Sequence, residues 1–139
     1  GNVTTIRATL QTNATGAAIH SDSAAAIGVA DVVVLEKLPE GFLLEDAQVI
    51  VSTPMTASAT GSLGFIYADG VDSTDVPQDA AYFGTGLNAA TAGRIRTSSA
   101  KAPVRLAKEA YLVWTQAGAA NAKASRLDVI VHGERMGPN

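Results

Sequence analysis

The chain repeatedly alternates between apolar and polar residues with a period of two, the pattern of a β-strand with one buried face. Between residues 3 and 12, positions 6, 8 and 10 are apolar and the positions between them are polar. Between residues 126 and 132, positions 127, 129 and 131 repeat this arrangement. A strand is therefore predicted near each end of the chain.

Other segments are apolar on both sides, which is typical of central strands that are covered on both faces. These segments are residues 32–35, 49–51, 63–67 and 111–114. Two weaker strand candidates are residues 81–84 and 94–98. Together with the two alternating segments, they predict about eight short strands.

Turn residues separate the predicted strands. Leu38-Pro39-Glu40-Gly41 predicts a turn with proline second and glycine fourth, and Pro54 is expected to end its strand. Residues 69–92 are predicted to form a long surface loop with a short strand at positions 82 and 83, and residues 102–111 are a candidate helical turn. Strands separated by turns indicate an all-β sandwich or barrel, formed by one domain over residues 1–139.

Composition excludes several classes of protein. The sequence has no cysteine, so disulfides, thiolate metal sites and cysteine nucleophiles are excluded. The net charge is −3 and the linear sequence shows no basic patch, so we expect no nucleic-acid partner. We also expect no membrane partner, because no run of residues is long and apolar enough to span one. The charged fraction of 17% is low for a diffusing monomer and favours an assembly subunit.

Candidate catalytic residues are few. The two histidines, His20 and His132, lie far apart in the sequence, and no G-x-S-x-G motif accompanies them. Four carboxylates cluster around the predicted proline turn, where a solvated loop is expected: Glu36, Glu40, Glu45 and Asp46. We therefore expect no enzyme activity, no catalytic or metal-binding residues and no cofactor.

The most suggestive polar feature is an acidic loop with Asp69, Asp72, Asp75 and Asp79 within eleven residues. Calcium takes several oxygen ligands, often from loop carboxylates, although this spacing does not match an EF-hand loop. The alternative is a solvated loop in which the aspartates cap backbone N–H groups. The only tryptophan, Trp114, lies in a strongly apolar strand, which favours a place in the core over a sugar-stacking platform.

A resemblance adds to this interpretation. Residues 35–53, LEKLPEGFLLEDAQVIVST, resemble a pattern of small tailed-phage virion proteins in which a Leu-Pro-x-Gly turn precedes a Val-x-Val strand. A glycine-containing strand and an acidic loop follow at residues 61–79, then the aromatic pair Tyr82-Phe83 and a late strand at residues 110–113. Over about residues 33–131 the chain is similar to capsid cementing or decoration proteins, particularly the jelly-roll cement protein type of short-tailed phages that infect Bordetella.

The resemblance implies a jelly-roll-like antiparallel β-sandwich, a homodimer and contacts with the major capsid protein. It implies a place on the exterior of the virion capsid after assembly in the host cytoplasm, and no enzyme activity or cofactor. The terminal segments 1–3 and 135–139 are candidates for reaching neighbouring subunits, and the alternative for residues 133–139 is simple disorder. The alternative hypothesis is a carbohydrate-binding β-sandwich module, assisted by calcium in the acidic loop.

Overall fold

The computed structural model describes residues 2–19 and 24–135. These residues form nine β-strands: β1 (Asn2–Thr12), β2 (Val32–Leu38), β3 (Leu43–Thr53), β4 (Thr60–Tyr67), β5 (Asp79–Asn88), β6 (Gly93–Arg96), β7 (Val104–Arg105), β8 (Ala110–Ala117) and β9 (Ser125–Arg135). None of the described residues forms a helix that could cross a membrane.

The strands form two antiparallel sheets. Sheet one has the order β1-β9-β3-β6, with β7 pairing the other end of β3, and sheet two has the order β2-β8-β4-β5. Strands β6 and β7 occupy the same edge beside β3, so they act as one edge strand that is interrupted at residues 97–103. The two sheets then hold four strands each, in the arrangement of a jelly roll. The predicted all-β jelly-roll sandwich is confirmed, with nine strands in place of about eight.

The core lies between the sheets and is built from the inward positions of the alternating strands. Its largest fully buried side chains include Trp114, Tyr67, Phe42 and Phe65. The alternation predicted for β1 and β9 is confirmed, because Ala8, Leu10 and the odd-numbered apolar residues of β9 are buried.

Four details of the prediction were wrong. Strand β2 lies at an edge of sheet two, and its even-numbered valines are exposed. Residues 102–111 form β7, a bend and the start of β8, with no helical turn. The short strand expected at positions 82 and 83 is the ten-residue β5. The proline turn begins one residue later than predicted, because Phe42 N donates to Pro39 O at 3.2 Å and Gly41, with φ of 80°, takes the third position.

A buried asparagine ties together the loops at one end of the sandwich. Asn121 is fully buried, and its Nδ2 donates to Thr12 Oγ1 at 3.0 Å and to Lys123 O at 3.0 Å. Its Oδ1 accepts the Thr56 backbone N–H at 3.2 Å, and its own backbone N–H donates to Ile27 O. Side chain and backbone therefore join the β1–β2 loop, the β3–β4 loop and the β8–β9 loop.

Candidate docking surfaces

The residues considered for catalysis do not assemble into an active site in the described part of the chain. His132 is exposed on the outer face of sheet one, between Thr5 and Asp46 in the strand register. Its Nδ1 lies 3.4 Å from Thr5 Oγ1, while Asp46 Oδ2 accepts a hydrogen bond from Arg96 Nε at 3.1 Å. His20 lies outside the described residues.

Three of the four carboxylates in the acidic loop accept local backbone hydrogen bonds. Asp69, Asp72 and Asp79 each accept a hydrogen bond from a backbone N–H one or two residues later. Asp69 also pairs with Lys108 at 2.9 Å, and Asp79 pairs with Lys101. The Val71 N–H, followed by Lys108, lowers the pKa of Asp69. No group of three or more His, Asp or Glu side chains among the described residues is arranged to hold a metal ion.

The aromatic side chains belong to the core. Phe65, Tyr67, Tyr82 and Phe83 form edge-to-face pairs with ring centroids 5.0 to 5.8 Å apart. Trp114 is also buried, and of the seven aromatic side chains six are buried and the seventh is half-buried. The interpretation of Trp114 as a core residue is confirmed, and the described surface offers no exposed ring on which a sugar could stack.

The interruption between β6 and β7 leaves an open depression of about 460 Å³ at the edge of sheet one. It is lined by Glu45, Asp46 and the segment 96–99. The hydroxyl of Tyr82 donates to Ala102 O at 2.6 Å and fastens the interrupting segment to the sandwich. Burial raises the pKa of this phenol, which therefore stays a hydrogen-bond donor. The depression is polar and open to solvent, so it does not enclose a ligand.

The outer face of sheet one is a regular surface that extends across four strands. Side chains that alternate with the core residues of β1, β9, β3 and β6 form rows across it. One row, Glu134–Leu43–Arg105, lies at the end of the sheet next to β7. The four rows that follow it are Gln11–Arg126, Thr9–Asp128–Ile50–Arg94, Arg7–Ile130–Gln48–Arg96 and Thr5–His132–Asp46. We call the thirteen residues of these four rows the arginine face.

Two of the four arginines on the arginine face form ion pairs with aspartates of the same face. Arg126 Nε lies 3.1 Å from Asp128 Oδ2, and Arg96 pairs with Asp46 at 3.0 Å. The Arg126 guanidinium, with the Thr9 hydroxyl, lowers the pKa of Asp128. The other two, Arg7 and Arg94, are exposed and form no side-chain hydrogen bond or ion pair with any described residue.

Sheet two presents an apolar edge. On β2, the side chains of Val32 and Val34 point away from the core and are 51% and 53% exposed. In the register they lie opposite Thr115 and Val113 of β8. The Thr115 hydroxyl is buried without a hydrogen-bond partner among the described residues. This edge strand therefore exposes β-branched side chains beside unpaired backbone groups.

Comparison with known proteins identifies solved structures that share this fold. No family model matches the sequence, and no curated protein matches it. Three chains from solved structures share its fold. A chain from the capsid of Ralstonia phage GP4 aligns with a TM-score of 0.68 at 14% identity, covering 99% of this chain and 87% of that one.

The other two structural neighbours come from different phages. A chain from the cyanophage Pam1 capsid asymmetric unit has a TM-score of 0.60 at 15% identity, covering 97% of this chain and 86% of that one. A chain from the acidic stable capsid structure of Helicobacter pylori bacteriophage KHP30 has a TM-score of 0.54 at 13% identity, covering 96% of this chain and 92% of that one. At these identities the likeness shows a shared fold.

Proposed function

We propose that this chain is a structural virion protein that binds and stabilises the outer surface of a phage capsid as a cement or decoration subunit. The observation that carries the proposal is the match to the Ralstonia phage capsid chain over nearly the full length of both chains. The phage neighbours share this fold from end to end, so the whole sandwich is the unit compared.

The physical form of the molecule supports this role. Its described surface offers two sheet faces and an open depression, which suit contact with another protein surface better than capture of a small molecule. A subunit repeated over a lattice engages many weak contacts at once, so modest affinity per contact still produces stable attachment. We propose the major capsid protein as the partner, with neither nucleic acid nor membrane required.

Binding to empty shells tests the proposal. We expect the purified protein to co-sediment with shells assembled from the major capsid protein of the phage that encodes this chain. Bound protein should also raise the melting temperature of the shells, since a ligand that binds only the assembled state stabilises it. Serum albumin at the same concentration controls for trapping in the pellet. Absence of both co-sedimentation and thermal stabilisation would contradict the proposal.

We further propose that the protein acts as a homodimer joined through β2. The exposed valines at positions 32 and 34 support this contact, because a second copy related by a two-fold axis could cover the same edge on both chains. Sedimentation equilibrium should give twice the chain mass of 14.2 kDa. Val34→Lys should shift the protein to monomer, whereas Val71→Lys, at a valine that is 61% exposed in the acidic loop, should not. A monomeric wild type, or equal behaviour of the two variants, would argue against this dimer.

A further inference from the structure

We infer that the arginine face docks onto an acidic protein surface of the capsid shell, with Arg7 and Arg94 donating to its carboxylates. This inference rests on the proposed function and names the surface and the partner chemistry for it. A guanidinium presents a planar set of N–H donors that matches a carboxylate, and it sheds water more readily than an ammonium group.

The two unpaired arginines are placed symmetrically on the face. Arg7 lies on the edge strand β1 and Arg94 on the opposite edge strand β6, three strand spacings apart, or about 14 Å. Arg7 is in register with Ile130, and Arg94 is in register with Ile50. Each free guanidinium therefore stands beside an isoleucine, at opposite margins of the sheet.

The two isoleucines supply the apolar centre of the face. Ile50 and Ile130 are half-buried on adjacent strands, where the register makes them diagonal neighbours. An apolar centre inside a polar rim is the usual composition of a protein–protein interface. The rim here includes the threonine and glutamine side chains of β1, whereas Gln48 lies beside the two isoleucines.

The charges on the arginine face indicate the chemistry of its partner. The arginine face carries four arginines and two aspartates, although the chain as a whole has a net charge of −3. Because Asp46 and Asp128 already hold two of the arginines, the face has two cations left for a partner. Two free cations around an apolar centre fit a few carboxylates on a protein, whereas a duplex phosphate backbone is bound by a longer array of cations.

The test compares two variants with the same change in net charge. Arg7→Gln/Arg94→Gln removes two positive charges from the face. Lys123→Glu makes the same change at an exposed lysine in the β8–β9 loop, outside the face. Binding to empty shells is measured at 150 mM NaCl, where exposed charges beyond about 8 Å are largely screened. The double variant should weaken binding on the order of 30-fold, and Lys123→Glu should leave it close to wild type.

The outcomes separate the inference from the function on which it rests. If wild type binds shells and both variants bind equally well, or both weaken equally, the arginine face is not the docking surface and the proposed function stands. If the wild-type protein fails to bind shells, the docking inference and the proposed function are both contradicted. Melting temperatures close to wild type exclude misfolding as the cause of lost binding. If the double variant loses retention of a 30-base-pair DNA duplex but keeps shell binding, the face serves nucleic acid and the inference is overturned.

Discussion

Replacing Asn121 with alanine is expected to lower the free energy of unfolding by about 3 kcal/mol. The change removes the donor to Thr12 Oγ1, which stays buried, and the acceptor for the half-buried Thr56 N–H. A buried polar group without a partner keeps its full desolvation cost. The loops at this end should also exchange their amide hydrogens faster, because the side chain joins elements far apart in sequence.

Urea unfolding at equilibrium measures the effect, and Asn88→Ala is the matched control. Asn88 is exposed, and its Oδ1 accepts the Ala90 N–H in a local turn that water can replace. The control substitution should therefore lower the free energy of unfolding by less than about 1 kcal/mol. Equal losses for the two variants would show that the Asn121 network does not stabilise this end of the sandwich.

Replacing Gly61 with alanine should destabilise the fold by about 3 kcal/mol through overpacking. A Cβ on Gly61 would overlap the indole ring of Trp114 on the neighbouring strand. The ring cannot move aside freely, because Trp114 Nε1 donates to Gln116 Oε1 at 2.9 Å, and Gln116 Nε2 donates to Ala119 O at 3.0 Å. A loss of stability would be informative, since replacing glycine with alanine is otherwise stabilising when the backbone conformation permits it.

The control is Gly28→Ala, at a position where an added Cβ would meet the Asp31 carboxylate at an ordinary 3.5 Å. Its stability should stay within about 0.5 kcal/mol of wild type. Tryptophan fluorescence during denaturation reports on the environment of Trp114 in both variants. A Gly61→Ala protein as stable as Gly28→Ala would contradict the tight packing of β4 against the indole ring.

The sequence predicted the strands whose alternation is strict and misplaced one whose apolar run is continuous. In β1 and β9 a polar residue follows nearly every apolar one, so the buried face is unambiguous. In β2 the run 32–35 has no polar residue, and a strand covered on both faces has the same composition as an edge strand with an exposed apolar side. The number of strands that pair with β2 decides between a covered strand and an edge strand, and strand pairing is set by the tertiary fold.

The arginine face could be predicted only in part. Alternation alone turns Arg7 and Arg126 outward from their strands. Their arrangement beside Arg94 and Arg96 depends on strand order and register, which bring together residues up to 127 positions apart along the chain. A search for basic runs in the linear sequence does not detect such a surface, because its charges are brought together only by sheet formation.

Electron cryo-microscopy of shells incubated with the purified protein is the sharpest test of the proposal that this protein stabilises a phage shell from outside. We expect regularly spaced density on the outer surface, into which the β-sandwich fits with sheet one against the shell. Shells without added density, or density confined to the interior, would contradict it.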